Sequence, residues 1–156
     1  MTTERHAFPY HRPRSGALWP ILRRSPEIRH SARHGRHLTG YPDRIALTEV
    51  IPGETMLLLN TTHQPADSPY RASHAIFARE GATVPFDQVN VVPEVLRSRL
   101  VWPWGLDEAG MMMDADIAAG DDLVPCMERL LADSRIRYLQ AHYAKAGCYA
   151  AGIVRA

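Results

Sequence analysis

Three observations in the sequence predict an α+β fold, a single domain on a mostly antiparallel or mixed sheet of about six to seven strands with two or three short helices. Short segments of alternating polarity recur along most of the chain, and turn residues join neighbouring segments by local connections. One stretch, residues 121–132, carries a clear helical face, with Leu123, Met127, Leu130 and Leu131 at helical spacing and Asp121 or Asp122 placed to cap it.

Taken in order, residues 1–25 show little periodicity. A short helix is expected over 26–35, where Ser25 would cap, Pro26 suits the first position and Glu27 suits the positive end. Residues 44–50 (RIALTEV) alternate polar with apolar side chains and read as a half-buried strand. Pro52-Gly53 marks a turn before a more deeply buried strand over 55–60 (TMLLLN).

Residues 60–74 read as a long polar loop stiffened by Pro65 and Pro69, followed by a strand over 75–79 that Gly81 closes. Residues 84–92 fit no single pattern. Pro93 opens a short helix to residue 98, and strands over 99–106 and 110–117 are joined through Asp107-Glu108-Ala109-Gly110. Pro103 has no N–H to give a ladder, which places its strand at an edge or a bulge. The flanking Trp102 and Trp104 either wall a pocket or seal the sheet against Met111, Met112 and Met113. A hairpin of 137–142 and 148–154 closes the chain.

Composition narrows the class. The chain has 156 residues, 46% of them apolar, and a net charge of +1, as suits a globular domain. No apolar run approaches the ~20 residues that cross a bilayer, so no membrane partner is expected. With Cys126 and Cys148 alone there is no disulfide framework, and a reducing, cytoplasmic setting is the simpler expectation. Residues 1–37 form a basic arm, eight Arg against Glu4 and Glu27, while 38–156 form the folded, mildly acidic domain. A like-charge block of this kind is read as a solvated tail rather than a nucleic-acid reader. Within it His30, His34 and His37, at spacings of four and three, would line one face if helical, a spacing that suits a metal.

From about Gly40 onward the chain resembles the bacterial family called domain of unknown function 1203. The resemblance rests on Gly40-Tyr41-Pro42 with Arg44, PGE and LLLN (52–60), HQPADSPYRAS (63–73), IFAREGA (76–82), PEVLRSRL (93–100), GMMMDAD (110–116) and HYAKAGCYA (142–150). It implies membership and no activity. The pattern departs at Asp43 and at His74-Ala75, which makes His74 a matter of this chain's own specificity.

The candidate site is a polar pocket built from the 60–74 loop, the 75–79 strand and the terminal hairpin. His142 is the candidate acid or base, Cys148 the candidate nucleophile and Tyr70 the orienting phenol. Arg71 and Arg79, with Ser73 and His74, are candidate binders of a small polar or anionic metabolite, and Arg155 is a further candidate fork for an anion. Whether His142 and Cys148 share a face depends on the parity of the loop between them, which the sequence leaves open. No cofactor is assigned and no metal is the first reading. A second reading takes the chain as a non-catalytic ligand-binding module or a homodimer. A third joins His63, His74, His142 and Cys148, whose ligand types suit zinc or iron, into a metal site.

Overall fold

The computed structural model describes Ile28–Ser31 and residues 41–155. It is an α+β fold on two antiparallel sheets where the sequence suggested one. Strands β1 (Ile28–Ser31), β2 (Thr55–Gln64) and β3 (Ala72–Arg79) form a three-stranded sheet in the order β1-β2-β3. Strands β4 (Val101–Leu106), β5 (Met112–Ala115), β6 (Tyr138–Tyr143) and β7 (Tyr149–Val154) form a four-stranded sheet in the order β5-β4-β6-β7. Helices α1 (Glu94–Arg97) and α2 (Leu123–Ala132) complete it, a single 3-10 turn at Gly120–Asp122 leading into the second.

Helix α2 is only 10 residues long, too short to hold itself together in water. What fixes it is the burial of Leu123, Met127, Leu130 and Leu131, each worth about 2 kcal/mol when removed from solvent. They pack on Leu139, Ala141 and Tyr143, one face of β6. Because strand side chains alternate, Tyr138, Gln140 and His142 occupy the other face, and that face meets the three-stranded sheet. Cross-sheet bonds run from His63 to Gln140 (2.8 Å) and from Gln64 to the Tyr138 hydroxyl (2.7 Å). A second, smaller apolar cluster of Ile45, Leu59, Ile76, Ala78 and Ala82 lies against β2 and β3.

Four expectations are corrected. Residues 44–50 are not a strand, because the buried carboxylate of Asp43 takes the N–H groups of Ile45 (3.1 Å), Ala46 (3.0 Å) and Arg79 (3.0 Å) and curls the chain. Residues 28–31 are a strand where a helix was expected, paired to the free edge of β2 with Ile28 opposite Leu58, so the helical histidine face does not form at His30. His34 and His37 lie outside the described residues. Most of the 60–74 stretch is strand as well, and only residues 65–71 connect β2 to β3. Finally, Pro103 sits in a strand with a neighbour on each side. Its carbonyl accepts from Asp116 N (3.3 Å), just past the end of β5, so its missing N–H falls where that ladder stops and the pairing with β6 stays whole.

Arg44 ties this frame to the terminal hairpin. Its buried guanidinium donates to the carbonyls of Pro42 and Tyr149 and to Cys148 Sγ (3.2 Å), and lies 4.7 Å from the centre of the Tyr143 ring. No helix among the described residues is long and apolar enough to cross a membrane.

Asp43→Ala leaves three N–H groups without their acceptor and is expected to cost about 3 kcal/mol or more in urea unfolding. Replacing the half-buried Asp107, whose carboxylate accepts the exposed hydrogen bond from one turn N–H, by Ala is expected to cost about 1 kcal/mol or less.

Candidate functional site

The site lies where the two sheets meet. Along β3, His74, Ile76 and Ala78 alternate with Ser73, Ala75, Phe77 and Arg79, so His74 faces inward and Arg79 does not. On β2, Thr61 is opposite His74. The β2–β3 register slips between Thr62 and Gln64, leaving His63 as the extra residue of a bulge. In a regular strand, His63 and Gln64 would point to opposite faces; the bulge lets both reach β6. From β6 comes His142, which is 0% exposed, and a register slip in β7 sets Tyr149 opposite it.

Ring nitrogens of His63, His74 and His142 all lie within 4.8 Å of one another. The bonds around them fix the proton positions of two rings. Gln140 Nε2 donates to the backbone carbonyl of His63 (3.1 Å), so its Oε1 is the atom that faces His63 Nδ1 (2.8 Å), and Nδ1 carries the proton. His142 Nδ1 lies 3.2 Å from the carbonyl of Gly147, which can only accept, so Nδ1 again carries the proton. Both rings therefore turn a bare Nε2 lone pair inward. His63 Nε2, His142 Nε2 and His74 Nδ1 are all buried without a hydrogen-bond partner.

Burial also sets the charge. Desolvation holds His63 below the ordinary imidazole range, against the bond from Gln140 and with the help of the nearby His74. Desolvation pushes His142 down to about 4, the Gly147 bond working the other way. At neutral pH these two rings are uncharged, the state in which imidazole binds a metal. Aromatic rings wall the cluster: Tyr149 stacks on His63 (4.9 Å between centres) and Trp104 on His142 (4.1 Å).

Of the residues the sequence singled out, the fold brings together His74 and His142, with His63 from the metal grouping. Cys148 lies elsewhere, packed with the α2 cluster on the Tyr143 side and bonded by Arg44, since Tyr143 N donates to Cys148 O (3.0 Å) while His142 pairs with Tyr149. Ser73 binds Thr62 on the outer face (2.8 Å), Arg79 pairs with Glu54 (3.0 Å), and Arg71 is exposed. Tyr70 closes the 65–71 turn, its N–H donating to Ser68 Oγ (3.2 Å). Arg155 caps α2 by donating to the carbonyls of Leu131, Asp133 and Ile136. Sequence reasoning missed Gln140, Thr61 and the contact of Trp104 with His142. The pattern Tyr138-x-Gln140-x-His142 was the available signal, and it reads as a solvent face until β6 is known to be covered on both sides.

The metal-free protein is expected to lose stability in mild acid. Unfolded His142 takes a proton near its ordinary 6.5 and the folded residue only near 4, so stability is full above pH 6.5, falls as pH drops toward 4 and levels off below. The His142 share is about 3 kcal/mol at most. Urea midpoints measured against pH check this, and His142→Gln is expected to flatten that part of the slope.

A family model described as protein of unknown function (DUF1203) matches residues 40–155. No curated protein and no solved structure matches the chain.

Proposed function

The chain belongs to the DUF1203 family, whose description carries no activity, and on that footing we propose from the site itself that it is a metal-dependent protein acting on a small polar or anionic metabolite. The observation that carries the proposal is the set of three buried, partnerless ring nitrogens turned toward one another. Each unsatisfied buried nitrogen costs about 1–3 kcal/mol, and the adjacent lone pairs of His63 and His142 repel. A proton is a poor remedy at His63 and His142, because burial disfavours their charged rings. A divalent transition metal satisfies all three at once, and imidazole suits zinc, copper, iron and nickel.

The fit is close without being finished. Three nitrogens around zinc at ~2.05 Å stand about 3.3 Å apart, so the rings have to swing inward by about an ångström or more from a spread of up to 4.8 Å. The outer partners are those expected of metal-bound histidines, a side-chain amide oxygen on His63 and a backbone carbonyl on His142. Three protein ligands leave a coordination position open, which is the arrangement of catalytic rather than structural zinc sites. A metal held this way would polarise a substrate oxygen or activate water. The chain's own groups orient the ligand: Gln140 and Gly147 hold two of the imidazoles, and Tyr149 and Trp104 restrict access.

This reading modifies the enzyme anticipated from the sequence. The anion-binding charge comes from the metal, because Arg79 is committed to Glu54, Arg155 to the carbonyls of Leu131, Asp133 and Ile136 at and beyond the end of α2, and Arg71 is exposed on the 65–71 connection.

After chelation, the full chain is expected to take up one equivalent of zinc or cobalt in a calorimetric titration. His63→Ala, His74→Ala and His142→Ala should each abolish tight binding, Gln140→Leu should weaken it about 10–100-fold, and Cys148→Ser should leave it unchanged. Uptake that is substoichiometric, or that survives all three histidine replacements, would sink the proposal.

A further inference from the structure

Two more polar groups beside the cluster are buried and partnerless: the Thr61 hydroxyl and the Trp104 indole N–H. Thr61 is 2% exposed, stands opposite His74 in the β2–β3 ladder and precedes His63 by two residues. Trp104 lies on the face of β4 that carries its partner Gln140, with its ring stacked at 4.1 Å on His142. Each group therefore borders a different one of the proposed ligands. The indole N–H can only donate, so whatever satisfies it must accept.

Charge points to the same occupant. Three imidazole ligands bring no negative charge to a divalent ion, and among the described residues the cluster includes no carboxylate and no thiol. A buried ion whose charge is left uncompensated is costly, so compensation has to come from outside the chain.

We infer that the open position takes a small anion bound through one atom, a carboxylate oxygen being the natural case, and that Thr61 and Trp104 donate the hydrogen bonds that hold it. This rests on the metal reading and names the ligand class of the same site. Thr61 and Trp104 are positioning residues for that anion. The stacked walls of Tyr149 and Trp104 favour a small ligand over a bulky one.

The test uses the full chain loaded with cobalt, whose visible absorption reports its coordination, and titrates it with azide and with acetate as the anion probes. Wild-type protein is expected to show a saturable spectral change. Thr61→Val and Trp104→Phe are expected to bind cobalt with unchanged stoichiometry and to hold azide about tenfold more weakly, the loss of one bond to a charged acceptor. Thr61→Ser is expected to restore the affinity. If Trp104→Phe does not fold, the Thr61 pair carries the test alone. No cobalt uptake by the wild type overturns the metal reading and this inference with it. Cobalt uptake with no response to either anion, or with azide affinities in the variants matching the wild type, overturns this inference and leaves the metal reading standing.

Discussion

The structure turns on a two-bond pairing between sheets, in which Gln140 Oε1 accepts a hydrogen bond from His63 Nδ1 and Gln140 Nε2 donates one to the His63 carbonyl. Two sheets that meet face to face ordinarily do so through apolar side chains. Here the meeting layer is polar, with Thr61, Gln64, Gln140 and His142 all buried, and the apolar clusters lie against α2 and around β2 and β3. Such a layer is tolerable only where its groups are satisfied. Gln64 and Gln140 are satisfied by each other's sheets; the inward atoms of the three histidines are not. The layer thus fixes the relation of the sheets and at the same time isolates the unsatisfied atoms at one point.

Parity decided which of the sequence's candidates reach that point. His74 and Arg79 are five residues apart on one strand, an odd separation, so one faces the other sheet and the other pairs with Glu54 outside. The same rule separates Ser73 from His74, and His142 from Tyr143 and its neighbour Cys148. Several arginines, which as planar forks are attractive anion binders, serve the frame instead. Arg44 staples the terminal hairpin, Arg129 bridges Asp114 and Asp116, and Arg155 caps α2.

Much of this was legible beforehand. Six of the expected strands are present, and the buried face of α2 is the one its spacing implied. Most of the failures share a cause, which is that a distant partner reassigns a local signal, while the one at 44–50 is local, two and three residues from Asp43. Asp43 takes the N–H groups of Ile45 and Ala46, two that a ladder through 44–50 would have needed. Thr61, Thr62, His63 and Gln64 look like loop because nothing in their order announces that Gln140 and Tyr138 await them on the other sheet. Bulges at His63 and beside Tyr149 shift side chains between faces by a single residue, a change that alternation counted along one strand does not register.

The carbonyl that holds the proton of His142 in place belongs to Gly147, in the turn between β6 and β7, where the chain adopts a φ of 72°. No side-chain replacement at residue 147 deletes that oxygen, so this ligand's tautomer is written in the path of the chain and not in the identity of a neighbour. Evolution can rewrite it mainly by lengthening, shortening or re-bending residues 144–147. Comparative reading of related chains should therefore weigh turn length there as heavily as it weighs the histidine.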